Sequence, residues 1–249
     1  MLSASSAGHR QRGPAFSVPA QRVLAAFVAL LAVISVLLGL RLGVAAIKEY
    51  QASSFLSHWQ TQRQAPSERA WQVAAEAMQQ AQAWYPAANP ALHERFGTMW
   101  QWRSVQASPL TAEQQQQLAQ AQQQALSELR QATALRPRWP FAWSSLAYAK
   151  LQAGELDAEF SKALQQAQHY GPARHPVQER IAEIGLIAWP QLSAADQQLV
   201  TASLQFSAAF SPKSRRYLLQ LADELQRQAW LCQLLADQRA PCSANGVTP

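Results

Sequence analysis

Hydrophobic positions follow two different patterns along the chain. From Val23 to Leu40 the sequence VLAAFVALLAVISVLLGL runs for 18 residues without a charged side chain. At 1.5 Å per residue a helix of this length covers about 27 Å, close to the hydrocarbon thickness of a bilayer. After about residue 48 the hydrophobic residues instead recur three and four apart, the spacing of amphipathic helices. The first pattern predicts a membrane-spanning helix, and the second predicts a helical domain after it.

Proline and glycine residues divide this second part into helices. β-Branched residues are scarce, whereas the helix formers Ala, Gln, Leu, Glu and Arg dominate, so we expect an all-α domain without strands. Thr111 followed by Gln114 resembles a capping box. The breaks are short, which favours antiparallel neighbours. The predicted helices span about residues 67–84, 91–103, 111–135, 141–153, 157–169, 177–189, 194–210 and 213–237.

The stretch TALRPRWPFAWSSLAYAKLQAGE indicates how these helices are organised. One helical hairpin is predicted to end at Pro137 and the next to begin at Pro140. The spacing resembles the tetratricopeptide repeat, a 34-residue helical hairpin with large and small residues at fixed positions. Lys150 departs from that pattern, because the repeat has an aromatic residue there. The residues expected to pack the repeats are Ala132, Leu135, Pro137, Trp143, Leu146, Ala147 and Gly154.

The basic charge of the protein belongs to its N-terminal segment. All 15 acidic residues lie at or after Glu49. Beyond that point basic and acidic residues nearly balance, so the net charge of +6 does not indicate a nucleic-acid-binding face. Arg10, Arg12 and Arg22 precede the apolar run, and basic flanks stay in the cytoplasm. We therefore expect a cytoplasmic N-terminus and a periplasmic domain, with the span in a bacterial inner membrane.

A cleaved signal peptide is the alternative to a retained anchor, because both combine a basic flank with an apolar run. The run is longer than the apolar region of an ordinary signal peptide, which has about 7–15 residues. Arg41 and Lys48 also stand where a cleavage region would be, so we favour the anchor. Small residues at Ser35, Gly39 and Gly43 form a stripe that permits close association with another helix. The expected organisation is a basic cytoplasmic tail over 1–22, a transmembrane helix over 23–47, a stalk over 48–66, the helical-repeat domain over 67–239, and a C-terminal tail over 240–249.

Cysteine and histidine usage indicates structure more than chemistry. In an oxidising periplasm Cys232 and Cys242 are predicted to form a disulfide. The histidines are scattered, and the sequence contains no H-E-x-x-H, G-x-S-x-G or phosphate-loop motif. We therefore expect a non-enzymatic protein with no catalytic residue, metal site or cofactor. The acidic residues Glu155, Asp157 and Glu159 near a turn are interpreted as helix-capping groups.

One possible binding surface is predicted at Arg136, Arg138 and Trp139. An aromatic ring flanked by guanidinium groups is suited to stack on a sugar or to bind an acidic peptide. The alternative is that Trp139 packs between adjacent hairpins.

Residues 65–212 also resemble the VpsP-like family of membrane-anchored accessory proteins of exopolysaccharide biosynthesis. The stretches that carry the resemblance are NPALHERFGTMWQWR, RPRWPFAWSSLAYAKLQAGELDAEFSKALQQAQHYGP and IAEIGLIAWPQLS. The resemblance implies a periplasmic scaffold for exopolysaccharide biosynthesis and export that binds protein partners in an inner-membrane assembly. Direct glycan binding and a general peptide-binding role in the envelope are the alternatives.

Overall fold

The computed structural model describes residues 18–62, 64–103 and 111–235, with side chains from residue 21 onward. These residues form helices and contain no strand, which confirms the predicted all-α class. The helices are α1 (Val18–Gln62), α2 (Glu68–Trp84), α3 (Pro90–Arg103), α4 (Ala112–Leu135), α5 (Pro140–Gln152), α6 (Ala158–Tyr170), α7 (His175–Ala188), α8 (Ala194–Phe210), α9 (Pro212–Glu224) and α10 (Gln228–Leu234), with a 3₁₀ turn over Trp189–Gln191.

Local sequence signals fix where most helices begin. The Thr111 hydroxyl accepts from the backbone N–H of Gln114, and the Gln114 side chain accepts from the Thr111 N–H, which confirms the capping box. Pro140 occupies the first position of α5, where its missing N–H leaves no hydrogen bond unmade. The side chains of four further residues accept hydrogen bonds at helix starts: Ser67, Asp157, Ser193 and Ser211.

The continuous C-terminal helix predicted over 213–237 is wrong, because it is divided into α9 and α10. Gln226 adopts a φ of 56°, which no α-helix accommodates. The Arg227 guanidinium donates to the backbone carbonyls of Leu186 and Ile187 at the end of α7. The hydrophobic spacing continues across the break, so the sequence contains no local signal for the turn. The turn coincides instead with this contact between distant segments.

Consecutive helices pack against each other in pairs. The pairs are α1 with α2, α3 with α4, α5 with α6, α7 with α8, and α9 with α10, and each pair also contacts the next. Buried side chains form two clusters, one within α1 to α3 and the other running from α4 to α10. At the α7–α8 contact, Gly185 allows close approach: a Cβ there would lie 1.8 Å from Cγ1 of Val200.

Helix α1 has two parts with different surroundings. Its apolar N-terminal part is exposed, and among the described residues α1 is the helix that is long and apolar enough to cross a membrane. From Ala45 onward the same helix buries side chains against α2 and α3, including Ala52, Leu56 and Trp59. The sequence predicts that the segment 48–66 forms a stalk or continues the membrane helix. The segment continues α1 as far as Gln62 and contributes to the first hydrophobic cluster.

Candidate functional site

The predicted binding residue Trp139 lies in the connection between α4 and α5, and it is half-buried. Its indole N–H donates to Oε2 of Glu94 in α3 at 2.8 Å. The Arg136 guanidinium lies 3.9 Å from the ring centroid, and the ring of Phe141 lies 4.9 Å away. The indole is thus packed between two helix pairs, while Arg138 is exposed beside it.

The pKa of the Glu94 carboxylate, which accepts the indole hydrogen bond, is shifted. Burial raises the pKa of Glu94, although the hydrogen bond from Trp139 and the positive charge of Arg136 oppose the rise. These three side chains satisfy one another, so the Trp139 donor is already used within the protein. A ligand at this surface would meet mainly the exposed guanidinium groups of Arg136 and Arg138.

The residues predicted to pack the repeats lie mostly at the contact between α4 and α5. Ala132, Leu146 and Ala147 are buried, and Trp143 is 9% exposed. The indole N–H of Trp143 donates to the Pro137 carbonyl at 2.8 Å, which holds the connection against α5.

The other three positions of that set, Leu135, Pro137 and Gly154, are exposed and lie outside the core. Gly154 follows α5 with a φ of 73°, a conformation that favours glycine. Leu135 is the last residue of α4 and is 45% exposed, so it is not buried as the packing prediction expected.

The turn between α5 and α6 contains an ionic cluster centred on Lys150. The Lys150 side chain is 1% exposed, and its ammonium donates to Glu155 at 2.8 Å, Asp157 at 3.0 Å and Glu159 at 2.9 Å. Arg130 of α4 adds two hydrogen bonds to Glu159, at 2.9 and 2.7 Å. The ammonium thus occupies the space between the three carboxylates. Asp157 also caps α6 by accepting from two backbone N–H groups, as the capping interpretation expected.

The cluster shifts the pKa values of its members in opposite directions. Burial alone would lower the pKa of Lys150, but the hydrogen bonds to its carboxylates outweigh burial and raise it to about 12. The hydrogen bonds from Arg130 and Lys150 lower the pKa of Glu159 to about 2. Both groups are therefore charged at neutral pH, and the cluster ties α4, α5 and α6 together. Sequence reasoning missed its centre, because it treated Lys150 only as a departure from the repeat pattern.

A second group of polar side chains, also missed from the sequence, lies on α5, α7 and α9. The Tyr148 hydroxyl donates to Glu183 at 3.2 Å, and the Arg180 guanidinium lies 4.4 Å from the centroid of the Tyr148 ring. Burial and the nearby negative charge of Glu183 raise the pKa of Tyr148 to about 12 and also raise that of Tyr217. We call these four half-buried residues the tyrosine face, and it offers both aromatic and charged groups.

The remaining predicted residues lie at the two ends of the chain. Around Gly39 and Gly43 the space is open, and the Ser35 hydroxyl donates to the Leu31 carbonyl of its own helix. Cys232 is half-buried in α10 against the second hydrophobic cluster. Cys242 lies outside the described residues, so the disulfide stays a prediction.

Comparisons with known proteins add no relative: no protein-family model, curated protein or solved structure matches the chain. The sequence and structure together define an all-α protein with one N-terminal helix suited to span a membrane. The resemblances to the tetratricopeptide repeat and to the VpsP-like family stay predictions.

Proposed function

We propose that this chain is a single-pass inner-membrane protein whose periplasmic helical domain acts as a scaffold in exopolysaccharide biosynthesis and export. The observation that carries the proposal is the division of α1. One part of this continuous helix exposes an uninterrupted apolar surface, and the other part is packed into the helical domain. A retained anchor explains both parts. Cleavage within the helix would remove residues of α1 that contact the helical domain. The basic residues before the span favour a cytoplasmic N-terminus.

We further propose a tetratricopeptide-like arrangement of the domain. Support comes from the pairwise packing of consecutive helices and from the contact of each pair with the next. The buried Trp143, Leu146 and Ala147 occupy the positions where the repeat pattern has its packing residues. Stacked helical hairpins form extended concave surfaces that bind protein segments.

The tyrosine face supports protein binding as the mode of action. It brings half-buried side chains from three helices together. Tyrosine and arginine are enriched where proteins bind one another, because they combine a large contact area with polar groups. Protein partners in a membrane assembly are the occupants we propose for this face.

The closest arrangement to a catalytic pair favours the same non-enzymatic interpretation. In the described part of the chain, the Ser214 hydroxyl lies 2.8 Å from Nε2 of His175. Ser214 is 4% exposed and also bonds to Ser211 at the start of α9. Glu179 approaches the same Nε2, at 3.8 Å, instead of orienting the opposite ring nitrogen as a catalytic carboxylate does. These contacts fit a helix-capping network.

Two experiments test the proposal. Alkaline phosphatase fused to the C-terminus should be active, because that enzyme folds in the periplasm; activity only of a cytoplasmic reporter at the same position would contradict the orientation. Deletion of the gene should abolish polymer secretion while precursor levels stay normal, and unchanged secretion would remove the pathway assignment. In-cell crosslinking from Tyr148 and Tyr217, with mass spectrometry, would then identify the partner.

Direct glycan binding receives less support, because the indole N–H of Trp139 is bonded to Glu94 and its ring is covered by Arg136. Titration of the full-length protein in detergent with purified polymer separates this alternative from the scaffold. Saturable binding that is lost on replacing Arg138 with glutamine would favour glycan recognition. Neighbouring genes unrelated to polysaccharide synthesis would instead favour a general peptide adaptor of the envelope.

A further inference from the structure

The helical domain meets α1 where the apolar run stops. Arg41 directly follows that run, and its guanidinium donates to the backbone carbonyls of Ala83 and Trp84 at 3.4 and 3.3 Å. The 18 uncharged residues 23–40 rise about 27 Å, close to the hydrocarbon core of a bilayer. We place the end of the span at Arg41, before the expected residue 47, because the helix packs into the domain from Ala45 onward. The C-terminal end of α2 therefore lies level with one boundary of the proposed span. We call the end of the domain that contains this contact the anchor end.

Successive connections between helix pairs lie at this same end. Glu94, near the start of α3, bonds to Trp139 in the connection that leads to α5. Pro140 at the start of α5 packs directly against Gly171 at the end of α6. His175 at the start of α7 stacks on Phe210, which ends α8. The anchor end thus comprises the connections 85–89, 136–139, 171–174 and residue 211, with the helix ends that flank them.

The exposed charged side chains in the connections of the anchor end are all basic. Arg136, Arg138, Arg174 and Lys213 are exposed at the anchor end. No acidic residue occurs in the segments 84–90, 135–140, 170–175 and 210–213. Acidic residues lie toward the opposite end of the domain, at Glu68, Glu155, Asp157, Glu159, Asp196, Asp223 and Glu224. That end also contains basic residues, and Arg103 and Lys150 pair with four of these acids.

Exposed hydrophobic side chains show the same bias. Trp84, Leu135 and Phe210 are 46%, 45% and 57% exposed, and they are the last residues of α2, α4 and α8. Outside α1, the other large hydrophobic side chain exposed in the described residues is Val73, at 37%. Basic side chains interspersed with hydrophobic and aromatic ones match the boundary between lipid headgroups and acyl chains.

We propose that the anchor end is a second membrane contact that docks the domain on a bilayer surface rich in anionic phospholipid. The inference rests on the membrane anchoring proposed above and adds an orientation to it. The arginine and lysine side chains bind the headgroup phosphates, because anionic lipids attract cations close to the surface. Trp84, Leu135 and Phe210 insert their side chains at the interface, so the opposite end, which contains both acidic and basic residues, points away from the membrane.

Hydroxyl-radical footprinting of the full-length protein tests this docking directly. The protein is reconstituted in nanodiscs of phosphatidylcholine alone, or with one third phosphatidylglycerol. Oxidation of Leu135 and Phe210 should fall at least about twofold in the anionic nanodiscs, because the bilayer then covers both side chains. Tyr50 and Val73, which are 78% and 37% exposed elsewhere, should react equally in both lipids.

Paired variants provide the control for charge. Arg138→Gln with Arg174→Gln should remove the protection, whereas Arg69→Gln with Lys162→Gln, which removes the same charge from exposed sites nearer the opposite end, should preserve it. Equal oxidation in both lipids, or equal effects of the two double variants, would overturn the docking and leave the anchor intact. Failure of the protein to insert into nanodiscs would overturn the anchor and the docking together.

Discussion

Replacing Lys150 with methionine removes the centre of the ionic cluster while nearly conserving volume. The rise in the pKa of Lys150 from 10.5 to about 12 corresponds to about 2 kcal/mol in favour of the charged folded form. We therefore expect Lys150→Met to lower the free energy of unfolding by about 2 kcal/mol. The three carboxylates are 34–57% exposed and regain water in the variant. This rehydration keeps the loss below the 3–5 kcal/mol typical of a buried charge left unpaired.

Denaturant unfolding of the full-length protein in detergent, followed by circular dichroism, measures this loss. The contribution of Lys150 is present below pH 10.5 and is lost as pH rises through about 12. The difference between wild type and variant should thus be constant from pH 6 to 9. Lys150→Ala should cost about 1–2 kcal/mol more, because it also leaves a cavity. A methionine variant as stable as the wild type would refute the reasoning, since desolvation of the ammonium would then outweigh its attraction to the carboxylates.

Three further variants test other contacts by the same unfolding measurements. The pKa of Glu159 is lowered from 4.5 to about 2, so its contribution to stability is present above pH 4.5 and is lost as the pH falls toward 2. Glu159→Gln should therefore flatten the fall in melting temperature between pH 4.5 and 2. Gly185→Ala should cost about 2 kcal/mol by overpacking; a second change, Val200→Ala, should restore at least half, and no restoration would exclude this clash as the cause. Trp139→Phe should lower the free energy of unfolding by about 1–2 kcal/mol, because it leaves the half-buried carboxylate of Glu94 without its hydrogen-bond donor. This loss should be smaller in a Glu94→Gln background. An unchanged loss would mean that the hydrogen bond contributes nothing.

Local signals in the sequence predicted much of the fold. The uncharged run from Val23 to Leu40 identified the exposed part of α1, because its length alone matches a bilayer. Thr111 with Gln114, and the proline at position 140, marked helix starts, since capping depends on residues within one turn. These features need no knowledge of distant contacts.

Contacts between distant segments escaped the same reasoning. Arg227 bonds to carbonyls about 40 residues earlier, so the break between α9 and α10 has no signal in a hydrophobic stripe that continues through it. The tyrosine face likewise joins α5, α7 and α9. The spacing of hydrophobic residues along the sequence does not indicate that these helices are neighbours. Lys150 differs, because an isolated lysine at a position that expects a buried aromatic residue, followed by three nearby acids, is a signal that sequence reasoning could have used.

The Arg41 contact couples the lipid environment mechanically to the helical domain. Helix α1 extends unbroken for 45 residues, a rod of about 67 Å. The 21 residues beyond Arg41 form a lever arm of about 32 Å. A 10° change in tilt, within the range that bilayer thickness imposes on single spans, displaces the far end of this arm by about 6 Å. Because the arm is packed against α2 and α3, the domain follows that displacement as one piece. A membrane that thickens or thins thus reorients every surface the domain presents to its surroundings.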